Sequence, residues 1–302
     1  MMTSSREPDD RLRRALLDFS WGIWSELGIS GWGRTHRAWA IDPEPIIAFT
    51  PLLVEHDARL RDEVIDWCSG NWRQISGARL RNILSANELA SSEGWGQLAA
   101  SVNEHAPGAR WPFAATPLPI EPTGRSTLRP FDEPSMIYLR MRAVFGLSGR
   151  SEVLRSLLFD RGESTLGELA SRTGYSKGNI AEACDTLTAA GLLHSEMVGN
   201  RLSYSLANRT RLSEFVGESA PIHVNWQALL RIVTAISGWD DSQRSINEGA
   251  QVVESHRMFI SISDDAHSIG LTLPVRSEGH DFLPTWQAWT IDTMEKLARG
   301  RI

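Results

Sequence analysis

Residues 165–206 read TLGELASRTGYSKGNIAEACDTLTAAGLLHSEMVGNRLSYSL, and the first part of this segment carries the start and stop signals of two short helices. Thr165 and Glu168 have the spacing of a capping box, which satisfies free backbone amides at a helix start. Gly174 provides the stop of that helix, because glycine readily adopts the left-handed conformation found after helix ends. Ser176 can then cap a second helix. The segment therefore predicts two helices joined by a tight turn.

A β-hairpin is predicted directly after the second helix. Residues 192–198 and 201–206 form two short alternating segments, which is typical of half-buried strands. Gly199 and Asn200 lie between them, and this pair suits a tight turn. An apolar helix is also predicted over residues 151–159, so the order along the chain is helix, helix, turn, helix and hairpin.

This order and the short turn at 173–175 carry a resemblance to a known family. Two further features match: Ala-Gly-Leu at 190–192, where the second helix ends, and Gly-Asn-Arg at the tip of the hairpin. The segment resembles the DNA-binding domain of ArsR- and MarR-type bacterial transcription regulators. The resemblance implies a winged helix-turn-helix over residues 135–217, whose recognition helix enters the major groove while the wing approaches the backbone or the minor groove. The DNA-binding residues that it implies are Tyr175, Ser176, Lys177, Gly178, Asn179 and Ala181 in the helix, and Arg201 in the wing.

The residue types at these positions suit contact with DNA. Lys177 supplies charge for a phosphate or a guanine, Asn179 can donate and accept at adenine, and Arg201 suits a phosphate or a narrow minor groove. Basic and acidic residues balance over 150–214, with eight of each. Because so neutral a module neutralises few phosphates, we expect two copies in a homodimer to bind double-stranded DNA together.

Residues 1–112 are predicted to form a helical N-terminal domain, since apolar side chains recur there at helical spacing. Within it, Asp42-Pro43-Glu44 is a helix start in which Asp42 acts as the cap. Eight of the twelve tryptophans lie in this region, which indicates either a rigid aromatic core or a partner surface. Residues 113–134 are rich in proline and predict a linker or an extended arm.

Residues 218–302 are predicted to be helical as well, with a first amphipathic helix that is broken at Gly238. The apolar stripe of this helix is the candidate for holding two copies of the chain together, and we assign the dimer contacts to Trp226, Leu230 and Val233. Packing of the same stripe within one chain is an equal alternative from the sequence.

Composition excludes several classes of protein. The chain has 302 residues, and 41% of them are hydrophobic, which excludes a wholly disordered protein. Its net charge of −6 excludes a polycation that binds nucleic acid nonspecifically. No segment approaches the ~18 uninterrupted apolar residues of a membrane span, and the N-terminus lacks the pattern of a secretory signal. We therefore expect a mainly α, cytoplasmic protein without a membrane partner.

No motif in the sequence points to a metal, a cofactor or a catalytic centre. Cys68 and Cys184 are far apart, and the histidines and aspartates of the C-terminal third match no compact ligand spacing. Signatures of hydrolases, kinases and zinc proteases are also missing from the sequence. We expect no metal, no cofactor and no enzymatic activity.

The sequence predicts a DNA-binding transcriptional regulator, with repression as the expected mode. Its N-terminal domain would sense a small-molecule effector or bind a partner protein. The alternative is an antitoxin- or defence-associated interaction protein, in which the helical N-terminal domain binds a partner protein and the winged helix represses its own operon.

Overall fold

The structure is a computed structural model that describes residues 6–31, 39–55, 57–159, 163–216, 221–277 and 279–302. Within these ranges the chain is mainly helical and has one small antiparallel sheet, as predicted. The helices are α1 (Arg6–Leu27), α2 (Pro43–Leu53), α3 (Ala58–Asn71), α4 (Gly77–Ala86), α5 (Glu93–His105), α6 (Ile137–Phe145), α7 (Gly149–Phe159), α8 (Leu166–Thr173), α9 (Lys177–Ala189), α10 (Arg209–Val216), α11 (Trp226–Gln243), α12 (Glu248–Ser268) and α13 (Phe282–Leu297). The strands are β1 (Ser164–Thr165), β2 (Leu193–Val198) and β3 (Arg201–Leu206), in the order β1-β3-β2. None of the helices in the described ranges has an apolar stretch long enough to cross a bilayer.

Two buried cores organise these elements. The larger core belongs to α1–α5 and α11–α13, which we call the helical body. The smaller core belongs to α6–α10 and the sheet, which we call the helix–hairpin module. Helix α11 packs on α2, and α13 packs on α1. The described helices of the predicted regions 1–112 and 218–302 therefore share one core.

The apolar stripe of α11 lies inside the helical body. Trp226, Leu230 and Val233 are at most 2% exposed, and the Trp226 indole nitrogen donates to the Ala40 carbonyl at 2.8 Å. The sequence assignment of these three residues to a dimer interface is therefore corrected, since their contacts are made within one chain. The helix also continues through Gly238, where a break is predicted, because its packing outweighs the cost of about 1 kcal/mol of a helical glycine.

Four tryptophans of the N-terminal region lie in the core of the helical body. Trp24, Trp39, Trp67 and Trp95 have no exposed surface. Trp24 and Trp67 meet edge to face with their ring centroids 5.6 Å apart, a favoured geometry for aromatic pairs. Of the two interpretations that the sequence left open for these residues, the core is the one that the structure supports.

The proline-rich segment 113–134 contains no α-helix or strand, as predicted, but it is fastened to the helical body. The backbone amides of Gly124 and Ser126 donate to the buried carboxylate of Asp66 at 2.6 and 2.9 Å. The Arg129 guanidinium donates to a carbonyl near the end of α1 at 2.6 Å. The segment is therefore an ordered arm along α1 and α3.

The helix signals of the module are confirmed. Thr165 and Glu168 form the capping box of α8, and Gly174 ends that helix with a φ of 73°. The Ser176 hydroxyl accepts from the Asn179 amide at the start of α9. Local capping energies act between neighbours in sequence, so the sequence could specify these features.

The hairpin is also confirmed. Strands β2 and β3 pair antiparallel from Leu193 opposite Leu206 to Val198 opposite Arg201. On its other side β3 pairs with the short strand β1, which leads directly into α8. The start of α8 and the base of the hairpin are thereby held in one sheet.

Candidate nucleic-acid interface

The start of α9 presents polar groups to solvent. Ser176, Lys177, Gly178 and Asn179 are exposed, and Ala181 is half-buried. The first amides of a helix have no partner within the helix, and they carry the positive end of its dipole. Exposed amides and a lysine at one helix start can bind a phosphate or reach a base edge.

The cap of α9 limits what Asn179 can read. The Ser176 hydroxyl donates to Asn179 Oδ1 as well as accepting from the Asn179 backbone amide. Recognition of adenine through two bonds needs both Oδ1 and Nδ2 of an asparagine. The Ser176 hydroxyl must therefore turn away before Asn179 can read adenine in this way.

Tyr175 is corrected from its predicted role. Its side chain is 8% exposed and belongs to the core of the module, and burial raises the pKa of its hydroxyl. It cannot face DNA in this conformation. Aromatic burial at this position instead fixes the turn between α8 and α9.

The hairpin brings one cation and one acid close together. Arg201 is exposed at the start of β3, and Glu168 lies at the start of α8. Hydrogen bonds from Thr165 lower the pKa of Glu168, and the charge of Arg201 lowers it further. Within the hairpin itself the formal charges of Glu196 and Arg201 cancel, so the hairpin has no net positive charge.

Apolar side chains cover the rest of the hairpin tip. Met197 and Leu202 lie opposite each other in the ladder and are 61% and 41% exposed, and Val198 is 56% exposed. Together they form what we call the apolar tip. A tip of this kind packs on another apolar surface more favourably than it binds a phosphate backbone.

A group of buried charges joins the helical body to the module. It has three carboxylates and three guanidinium groups, which gives every charge a possible partner, as buried charges need. We call it the buried ion cluster, and its members are Asp42, Glu44, Arg79, Arg142, Glu152 and Arg155.

Glu44, near the start of α2, lies at the centre of the cluster. Arg79 and Arg142 contact the same Glu44 oxygen at 2.6 and 2.7 Å. Arg142 also contacts Glu152 at 2.9 Å, and Glu152 contacts Arg155 at 3.1 Å. These bonds connect α2 and α4 of the helical body to α6 and α7 of the module.

Arg79 extends this connection to the turn before α9. It binds Asp42 through both terminal nitrogens, and its Nε donates to the Thr173 carbonyl. Asn82, three residues further along α4, donates to the Gly174 carbonyl at 3.1 Å. Helix α4 thereby positions the turn from which the candidate DNA-facing helix begins.

Burial and the charges of the arginines have opposite effects on the pKa values of the cluster's acids. Burial alone would raise the pKa of Glu152, but the cluster's arginines outweigh burial and lower it to about 2. The same opposition lowers the pKa of Glu44. For Asp42 burial is the larger effect and raises the pKa.

The sequence did not predict this cluster. Asp42 is expected to cap α2, but no side-chain cap bond forms there, because its carboxylate binds Arg79 instead. Arg142 lies at a buried position of α6, and Glu152 lies at a buried position of α7. A charge at a buried position of a helix is the signal that could have found them.

Among the described residues, no three histidine, cysteine, aspartate or glutamate side chains lie close enough together to hold a metal ion. Both cysteines are buried, and neither is in a disulfide. No protein-family model matches this chain, and the searches of curated proteins and of solved structures find no match either.

Proposed function

We propose that the helix–hairpin module is a winged helix-turn-helix and that the chain is a sequence-specific, DNA-binding transcriptional regulator that acts as a repressor. The observation that carries the proposal is the exposed, capped start of α9, with Lys177 and Asn179 in its first turn, beside a hairpin that bears Arg201. The order of the elements, the capped start of α9 and the exposure of its first turn together favour a helix that enters the major groove.

The proposal includes a homodimer on DNA. The module has as many acidic as basic residues over 150–214, and the charge of Arg201 acts on nearby Glu168. Specific affinities of about 10⁻⁸ M or tighter need more phosphate contacts than this, and two modules on half-sites about one helical turn apart would supply them. The surface that joins the two copies is left unassigned, because the predicted stripe lies in the intrachain core.

Selection of bound fragments from genomic DNA, at stated salt, tests the function directly. We expect enrichment of a sequence with two related half-sites. Recovery of fragments without any shared sequence would contradict specific recognition. The full chain is the reagent, since the cluster ties the module to the helical body.

Replacing both Lys177 and Asn179 with alanine should weaken specific DNA binding. Each side chain that reads a base contributes about 1 to 3 kcal/mol, which corresponds to roughly fivefold to 150-fold in affinity. Both residues are exposed, so the free energy of unfolding should change little. Fluorescence anisotropy with the selected operator measures the loss.

Lys296→Ala is the matched control, because Lys296 is the other lysine of the chain and lies on α13 of the helical body. It should bind the operator as the wild type does. Equal affinity of the double variant and this control would contradict the assignment of α9 to the groove.

Arg201→Ala should weaken binding to all DNA sequences alike. A phosphate contact carries no sequence information, and its loss reduces the slope of log affinity against log salt by about one. Titrations at several salt concentrations, with operator and with unrelated DNA, measure both effects. Arg299→Ala, on the helical body, should leave the slope unchanged. A loss that is confined to one base position would make Arg201 a base reader instead.

The apolar tip favours a second candidate function, a protein-interaction module. Met197, Val198 and Leu202 expose apolar surface where a DNA-binding wing would benefit from cations. In this alternative the hairpin contacts a partner protein. It differs from the antitoxin- or defence-associated interpretation, in which the helical N-terminal domain binds the partner and the winged helix represses its own operon. Met197→Ser with Leu202→Ser would then abolish partner binding while leaving affinity for the operator intact.

A further inference from the structure

A cleft of about 340 Å³ lies between the helical body and the helix–hairpin module. Its walls come from the start of α2, from α6, α7 and α8, from the segment before α11, and from the ends of α11 and α12 that meet there. This volume is within the range of sites that hold small molecules. A molecule in the cleft would touch both cores at once.

Two arginines of the module line this cleft. The Arg155 guanidinium lies 4.1 Å from the centroid of the Tyr138 ring, and Arg172 donates to the Ser164 hydroxyl at 3.0 Å. Burial lowers the pKa of Arg172, and the charge of Arg155 lowers it further. Both arginines border the same cleft, and Arg155 also binds Glu152 at 3.1 Å. An anion in the cleft would be attracted by both positive charges.

His223 lines the cleft from the segment before α11. Its ring stacks on Phe159, and both ring nitrogens are buried without a hydrogen-bond partner in the part of the chain that the structure describes. Burial, followed by the charge of Arg155, lowers the pKa of His223 to about 3, so the ring is neutral near pH 7. A buried polar group without a partner is costly, and a rotation of the ring towards the cleft would let a polar ligand supply one.

Hydroxyl and amide side chains make up much of the remaining lining. Ser156 and Ser171 lie on the module side, and Gln227 and Ser268 lie on the side of the helical body. Such groups bind the hydroxyls of a polar molecule better than they bind an apolar one. We propose that the cleft binds a small hydroxylated oxyanion, of the chemical class of sugar phosphates and sugar acids, with its anionic group between Arg155 and Arg172.

The other cavities suit an anion less well. A cavity of about 570 Å³ beside α3 and the proline-rich arm is lined by two arginines but by four acids, which repel an anion, namely Asp62, Glu63, Asp66 and Glu121. A cavity of about 380 Å³ between α2 and α5 places Glu55 and Glu93 beside Arg61. The cleft between the two cores has one acid in its lining, Asp42, which Arg79 binds, beside the two arginines and the hydroxyl and amide groups.

Calorimetric titration of the full chain tests the proposal without any DNA. The probes are ribose 5-phosphate, gluconate and inorganic phosphate, with uncharged ribose for comparison. We expect an oxyanion to bind one to one, ribose to bind far more weakly, and Arg172→Ala to weaken binding by about 10- to 100-fold, as expected for a lost charge-assisted hydrogen bond. Arg150→Ala, an exposed position of α7 outside the cleft, should bind as the wild type does.

A second variant, Ser171→Trp, places a large side chain at an exposed position in the cleft wall and should block binding without removing charge. Tighter binding of ribose 5-phosphate or gluconate than of inorganic phosphate supports recognition of the hydroxyls. Absence of binding by all three anions at millimolar concentration would overturn the proposal. So would equal binding of ribose and ribose 5-phosphate, or unchanged binding by Arg172→Ala. These results hold whether or not the chain binds DNA.

Discussion

Replacing Arg79 with methionine is expected to lower the free energy of unfolding by about 3 to 5 kcal/mol. This is the usual cost of removing one partner from a buried ion pair, because the remaining charge keeps its desolvation penalty. Arg79 is completely buried, and its removal leaves the buried carboxylates of Asp42 and Glu44 without one of their cations. Urea denaturation, with the slope of the transition compared between variants, measures the change.

Arg81→Met is the matched control for this experiment. Arg81 lies two residues further along α4 and is exposed, so its replacement should change stability by no more than about 0.5 kcal/mol. Adding Asp42→Asn to Arg79→Met should recover part of the loss, because an amide is less costly to bury than an unpaired carboxylate. A stability within 1 kcal/mol of the wild type for Arg79→Met alone would contradict the pairing, on the scale of about 3 to 5 kcal/mol given above.

Leu230→Asp is expected to prevent stable folding. Leu230 has no exposed surface and lies in the core between α11 and its neighbours, so the new carboxylate would be buried without a partner. A cost above about 4 kcal/mol is a large part of the 5 to 15 kcal/mol that stabilises most domains. Circular dichroism and limited proteolysis of the purified variant measure the outcome.

Ile260→Asp serves as the control, since Ile260 lies on α12 with 59% of its surface exposed. Its replacement should leave the fold intact. If the Leu230→Asp variant is folded and monomeric while the wild type is a dimer, the result would contradict the intrachain role of the α11 stripe and support a dimer interface there. Sedimentation of both variants and the wild type distinguishes these results.

Short-range signals in this sequence predict structure well. The capping box of Thr165 and Glu168, the Ser176 cap and the hairpin turn at Gly199 act between residues a few positions apart, and all appear where the sequence places them. The exposed start of α9 could be expected for the same reason. Its neighbour Tyr175 could not, because its burial depends on the packing of the module as a whole.

The same reasoning could not predict contacts between residues that are far apart in the sequence. Asp42 looks like a helix cap, yet it binds Arg79, which is 37 positions away in sequence. The stripe of α11 is correctly amphipathic, but periodicity does not say whether a neighbouring helix of the same chain or a second copy covers it. The cleft between the cores depends on three-dimensional packing throughout, and no local pattern of residues marks it.

Helix α6 contributes side chains to both cores, and this limits where the chain can be cut into fragments that fold. Leu139 belongs to the core of the helical body and Ile137 to that of the module, while Arg142 of the same helix binds Glu44. A fragment cut to residues 135–217 would keep Arg142 and Glu152 but lose Glu44, and it would expose one face of α6 to water. The module is therefore not a transferable part: gene fusion or recombination that moved it alone would leave α9 without the helical body that orients it.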